Sequence, residues 1–245
     1  MRKEILRKNI IHRKITYLFQ WNQSNHKALA AHPSLHDSAK SLWSFLERVY
    51  NDEIPHKFFW SSEFKRASTM RLASVSKNDG AGLVYRLAQE GLINMESYSD
   101  FLNLVRKVIS SSTSHGSVLS FLLNFDPYTV ASEIPVYNEE MKMTGHIDLL
   151  RMTPEGTIQV LDFKPGLRDV DLLIATPQVA TYGILLAKLV PVMKNHIECT
   201  LFNARESISF KPDLMNRLYD NGNRQVWIGK GRTNQIYQST LDALL

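Results

Sequence analysis

The order of apolar patterns along the chain predicts an α/β (α+β) protein, an αβββαβ core preceded by a mainly helical N-terminal region. Three observations carry this. From residue 112 onward, apolar runs of strand length alternate with patterns of helical period. Two of those runs, 145–151 (GHIDLLR) and 157–164 (TIQVLDFK), are rich in Ile, Leu and Val and flank Pro154 and Gly156, as the arms of a β-hairpin would. Before residue 110, apolar residues recur mostly at helical spacing.

Taken in chain order, Ile11, Ile15, Leu18 and Phe19 fit one helical face, and Ser38 to Tyr50 (SAKSLWSFLERVY) is a second amphipathic segment. Residues 82–92 and 98–109 read as two further helices, with Asn78-Asp79-Gly80 as a loop. The polar stretch Ser110 to Ser114 divides the chain into a basic helical region, 1–110, and a core with a C-terminal extension, 111–245. The core reads as helix 116–124, strand 130–137, strands 145–151 and 157–164, helix 177–190 and strand 196–203. A helix over 213–220 follows. In the terminal segment Arg224 to Arg232, the residues Arg224, Trp227, Lys230 and Arg232 suit either a phosphate backbone or a plain basic hairpin.

Composition narrows the class. Hydrophobic residues make up 44% and charged residues 22%, as expected of a globular chain, and no apolar run reaches the roughly 18 residues of a membrane span. A single cysteine, Cys199, excludes an internal disulfide framework, a cysteine-held zinc site and a four-cysteine iron–sulfur cluster. It agrees with an intracellular, reducing compartment, while the basic first sixteen residues leave organelle targeting open. Charge is unevenly placed: 14 Lys and Arg against 6 Asp and Glu over residues 1–77, but 15 against 18 over 78–245. A basic half to hold phosphates beside an acidic half to gather cations suits nucleic-acid chemistry, although solvated charged helices share that bias. His32 and His36 are four apart, but Pro33 between them argues for loop or surface residues rather than a zinc pair.

The hairpin carries the chemistry. With its turn centred on Glu155, Met152 faces Ile158, Leu150 faces Val160, Leu149 faces Leu161 and Asp148 faces Asp162. Opposed residues share a face of the sheet, with Cβ atoms roughly 4.5–5.5 Å apart. Carboxylates that close repel unless a cation lies between them, and Mg²⁺ prefers a few carboxylates with water and phosphate oxygens. Lys164, two residues past Asp162, shares its face and suits a phosphate or an attacking water. Phe163 points the other way, into a core, with its carbonyl left as a ligand. A slip of one residue in register would undo the arrangement. Glu133 lies on the preceding strand as either a third acid or a strand-edge glutamate. His146 reads as structural or DNA-facing rather than as a ligand.

The order Glu133, Gly145-x-x-Asp148, Asp162-x-Lys164, Gln178-x-x-x-Tyr182 resembles the PD-(D/E)xK nuclease superfamily, and within it the RecB-like branch of CRISPR-adaptation nucleases and phage exonucleases. The resemblance covers roughly residues 112–210. D-x-K alone is unspecific; its succession with G-x-x-D and Q-x-x-x-Y is more so. The resemblance implies a restriction-endonuclease-like core, Asp148 and Asp162 as metal ligands, and Lys164 as the catalytic lysine. It implies that Gln178 and Tyr182, on one helix face, support the site or approach DNA. His115 is the candidate for the histidine that completes the metal shell in many members, although the usual glycine-then-histidine spacing is not reproduced.

The expected activity is therefore a Mg²⁺- or Mn²⁺-dependent deoxyribonuclease, an exonuclease in preference to an endonuclease, acting on single- or double-stranded DNA in processing, recombination, replication or defence. Its metal would be held by Asp148, Asp162 and the Phe163 carbonyl, with Glu133 and His115 as further candidates. The alternative is a DNA-binding or scaffold subunit on the same fold, working with a protein partner or a second copy of itself.

Overall fold

A computed structural model describes residues 4–71, 84–110, 114–165 and 169–214. Its first element corrects the expectation of a helix over residues 11–19. Strands β1 (Ile5–His12) and β2 (Ile15–Asn22) form an antiparallel hairpin, with His12 opposite Ile15 across a two-residue turn. The turn residues Arg13 and Lys14 both have positive φ, 47° and 67°, as the tightest hairpin turns require. Ile11, Ile15 and Leu18 are exposed on this hairpin, so their spacing does not mark a buried helical face.

The hairpin joins a mixed sheet of nine described strands through Gln20 opposite Ser132 and Trp21 opposite Ala131. The other strands are β3 (Lys65–Arg66), β4 (Ile93–Glu96), β5 (Thr129–Asn138), β6 (Met143–Met152), β7 (Ile158–Phe163), β8 (Ile197–Phe202) and β9 (Ser207–Phe210). They run in the order β1-β2-β5-β6-β7-β8-β9-β4, with β3 on β6. Only β7 with β8 and β3 with β6 are parallel. The strands expected from the sequence between 130 and 203 are all present, each within two residues of its expected ends.

Helices α1 (Gln23–Ala30), α2 (His36–Tyr50), α3 (His56–Trp60), α4 (84–89) and α5 (Asp100–Ile109) fill the first part of the chain. They are followed by α6 (His115–Phe125), α7 (Asp169–Ile174) and α8 (Thr176–Leu189). The β6–β7 ladder shows why helices cover both faces. Leu149 and Leu161 are paired, and they pack with Leu102, Val105, Leu119 and Leu122 of α5 and α6. Leu150 and Val160, the next pair, belong instead to the larger cluster that contains Val179 and Leu186 of α8 and Leu42 and Leu46 of α2. Alternation along a strand sends successive pairs to opposite faces, so the near-continuous apolar content of β6 and β7 follows from burial on both sides.

Helix α6 starts where Ser114 caps it by accepting the Ser117 N–H, which fixes the position of His115. Helix α8 starts with Pro177 in its first turn, where no N–H is needed. Gln178 and Tyr182 follow on one face of it. All but the first two residues of the expected helix at 213–220, the basic segment Arg224 to Arg232, the loop at 78–80 and most of the 110–114 linker lie outside the described residues.

Candidate active site

Every residue singled out between 115 and 182 lines one cavity of about 460 Å³: His115, Glu133, Gly145, His146, Asp148, Asp162, Phe163, Lys164, Gln178 and Tyr182. The strands set this up. The β6–β7 register is the one expected, Met152 with Ile158 through Leu149 with Leu161. Beyond Leu149 the ladder opens, and the Asp148 Oδ2 accepts the Phe163 N–H at 2.8 Å in place of a backbone partner. The Phe163 ring is buried and packs beside Leu161 and Phe202.

Glu133 takes an unusual conformation for a strand residue, with φ at 54°. Its neighbours remain in register, Ser132 with Leu149 and Ile134 with Ile147, so Glu133 lies across from Asp148. A non-glycine residue in the left-handed region carries local strain, and such residues gather at functional sites. Glu133 lies 3.7 Å from His115 Nδ1, whose Nε2 is 2.9 Å from Asp148 Oδ2. The structure thus brings His115 to the acids despite its unorthodox spacing.

Asp162 is almost fully buried. Its Oδ1 accepts the Gln178 Nε2–H at 2.9 Å. Its Oδ2 accepts no well-aligned hydrogen bond, and the Lys164 ammonium is in ion-pair contact with it. Gln178 ties the site together. Its amide nitrogen also donates to the Tyr182 hydroxyl at 2.9 Å, and its Oε1 accepts from Lys164 at 3.2 Å and from Arg71 at 2.5 Å. Tyr182 is buried and lies over Gly145, where a Cβ would come within 2.7 Å of the ring carbon Cδ1. The glycine of G-x-x-D and the tyrosine of Q-x-x-x-Y are therefore one packing unit.

Three acids this close make a strained electrostatic site. Burial, reinforced by the charge of Asp148, pushes both the Glu133 and Asp162 carboxyls well above the ordinary range. The hydrogen bond to Asp148 pushes His115 up, holding it as a cation beside the acids. The Asp162 Oδ2 and the Asp148 Oδ1 make no hydrogen bond among the described residues, so lone pairs remain for a further cation. Among the described residues, no three His, Cys, Asp or Glu side chains already converge on one point at ligand distance. The donor set suits a hard divalent cation in its chemistry, with side-chain adjustment needed to close on one.

The cavity lining also includes a cluster of residues that motif spacing did not single out, packed around His146. His12 Nδ1 is 2.9 Å from His146 Nε2, and His12 Nε2 is 3.0 Å from His56 Nδ1. Tyr17 stacks on His146 with ring centroids 3.6 Å apart, and Phe59 on His12 at 3.9 Å. His146 is thus a wall residue rather than a ligand of the acids. Arg13 and Arg66 line the same cavity. His12, Arg13, Tyr17, His56, Phe59 and Arg66 come from the β1–β2 hairpin, α3 and β3, too far along the chain from the acids for local spacing to connect them. His32 and His36 are exposed, as expected, and the two remain outside the site. Compared with known proteins, the chain matches no family model and no curated sequence.

Proposed function

We propose that the protein is a metal-dependent deoxyribonuclease of the PD-(D/E)xK type, with a restriction-endonuclease-like core formed by α6, β5, β6, β7, α8 and β8. One observation carries this: Glu133, Asp148, Asp162 and Lys164 line a single cavity, with Gln178 hydrogen-bonded to both Asp162 and Lys164. A purely structural acid pair would be expected to take complementary partners. Here the repulsion among the acids is only partly relieved by His115 and Lys164.

When bound, a Mg²⁺ or Mn²⁺ ion held by Asp148, Asp162 and the Phe163 carbonyl, with Glu133 or His115, would supply a water of lowered pKa and neutralise charge on the phosphate. The chain's own residues do the rest. Lys164 places its ammonium where negative charge grows on a phosphate oxygen during in-line displacement. Gln178 fixes one oxygen of Asp162 and so leaves the other turned toward Lys164. Arg71 and Tyr182 hold the Gln178 amide in that orientation from either end. No nucleophile of the protein is required, so hydrolysis is direct.

The test is cleavage of end-labelled linear and circular DNA, single- and double-stranded, with Mg²⁺, Mn²⁺ or EDTA. Metal-dependent loss of linear DNA alone marks an exonuclease, and nicking of circles an endonuclease. Lys164→Ala and Asp162→Ala are each expected to lower the rate by at least about a hundredfold with the fold retained. Wild-type rates in both variants would overturn the assignment.

A further inference from the structure

We infer that Arg66 is an anion subsite that grips a second, uncleaved phosphate of a nucleic-acid strand. The inference rests on the nuclease reading above and extends it to another part of the cavity lining. Four cationic side chains line that cavity: Arg13, Arg66, His115 and Lys164. Three of them are committed. His115 is bonded to Asp148, and Lys164 contacts Asp162 and Gln178. The Arg13 guanidinium donates to the carbonyls of Phe59, Ser61 and Phe64, so it serves as a clamp on that loop. The Arg66 guanidinium has no hydrogen bond or ion pair among the described residues, although it is partly buried in a cavity that holds three carboxylates.

Arg66 lies on β3, paired in parallel with β6 at Thr144. Asp148 is four residues further along β6, an offset of roughly 13 Å. Its guanidinium forms no ion pair with the acids among the described residues. It keeps its donors for a ligand that spans the distance. A guanidinium presents a rigid fork of five donors that matches phosphate geometry, and a partly desolvated one gains most from an anion. A polynucleotide strand repeats its phosphates along its length. With one phosphate at Lys164, another further along the same strand would lie at Arg66. The stacked Tyr17–His146 pair, also in the cavity lining, adds an aromatic flank against which a sugar or base can lie. A mononucleotide phosphoester has no second phosphate to offer, so the subsite selects polymer over monomer.

The experiment is binding of a fluorescent single-stranded oligonucleotide in EDTA over a range of salt, for wild type, Arg66→Gln and Arg66→Lys, alongside cleavage with Mg²⁺ or Mn²⁺. Arg66→Gln is expected to weaken binding about fivefold to tenfold and to lower the slope of log K against log salt by about 0.7, the value of one phosphate contact on a single strand. Arg66→Lys, which keeps the charge, is expected to retain the wild-type slope. In cleavage, Arg66→Gln raises KM, with kcat at saturating DNA within about twofold of wild type. An oligonucleotide carrying one neutral methylphosphonate, moved along the strand, should weaken wild type at a position away from the cleaved bond. That position should become silent in Arg66→Gln. An unchanged salt slope with weakened binding would mean that Arg66 only supports the wall, and would overturn the inference. So would wild-type affinity and slope in Arg66→Gln, while wild-type cleavage that Lys164→Ala abolishes leaves the nuclease reading standing. A wild-type protein that neither binds nor cuts DNA would overturn the nuclease reading and this inference with it.

Discussion

At the scale of single residues, Gly145 is small because the Tyr182 ring fills the space where its side chain would be. Gly145→Ala forces the ring off Gly145 and disturbs the Gln178–Tyr182 bond, with an expected loss of about 1–3 kcal/mol, the usual cost of overpacking. The shift in denaturation midpoint measures it. Tyr182→Leu made together with Gly145→Ala should recover part of the loss, because the two positions share one space. His26 poses a different problem. It is fully buried, accepts the Trp21 indole N–H at 3.1 Å and bonds the Ala39 carbonyl at 2.9 Å through its other nitrogen. Burial holds its pKa down to about 4 against an ordinary 6.5. On acidification the unfolded chain takes up this proton first. The contribution of His26 to stability is therefore complete above pH 6.5 and is lost as the pH falls to about 4, by on the order of 3 kcal/mol. His26→Gln should lower stability at pH 7, with the difference from wild type shrinking toward pH 4. Urea unfolding at pH 7 and pH 4.5 reads both points, and a constant difference would mean the proton is not the cause.

At the scale of elements, the β1–β2 hairpin does two things: it extends the sheet beyond β5, and through Arg13 it holds the loop after α3. Arg13→Ala leaves the carbonyls of Phe59 and Phe64 without that donor and should cost about 2 kcal/mol. Amide exchange over residues 59–66 should accelerate, while exchange in β7 and β8 stays slow. Equal acceleration everywhere would mean global destabilisation rather than release of a clamp. This hairpin is also the element that sequence patterns hide. Ile11, Ile15, Leu18 and Phe19 fall at helical spacing, and the turn uses Arg13 and Lys14 where glycine or asparagine would signal it. Half of β2 is buried continuously, from Phe19 to Asn22, so alternation is absent as a cue. The β6–β7 hairpin was legible for the opposite reasons. Pro154 and Gly156 mark its turn, and the register follows from matching apolar residues about Glu155. The acids, Lys164, Gln178 and Tyr182 were readable because they sit within fifty residues, on or just past four elements, β5, β6, β7 and α8. The φ of Glu133 and the wall formed by His12, Tyr17, Arg66 and His146 depend on tertiary packing, which no local spacing records.

At the scale of the whole molecule, one sheet carries both the basic N-terminal part and the acidic centre, so the two charges meet across a single cavity. Such a site is a cost to the fold. Asp162 is nearly solvent-free, lies among other acids, and is pushed up by burial and by Asp148, so its ionised form opposes folding near neutral pH. Asp162→Asn removes that charge and preserves the shape, and the amide keeps an oxygen for the Gln178 N–H. In EDTA the variant should therefore melt above wild type, by roughly 2–4 °C for each kcal/mol relieved in a chain of this size. The proposed divalent cation would relieve the same repulsion in wild type. Mn²⁺ at about a hundred times its dissociation constant should stabilise wild type by about 2.7 kcal/mol, through mass action alone. Asp162→Asn should respond far less, because one of the proposed ligands has lost its charge. The crossing pattern separates the possibilities. A variant more stable in EDTA but unresponsive to Mn²⁺ means that the acid is kept for the cation at the expense of the fold. A variant less stable than wild type in EDTA means that Asp162 is kept for its contact with Lys164, and the acids would then be structural.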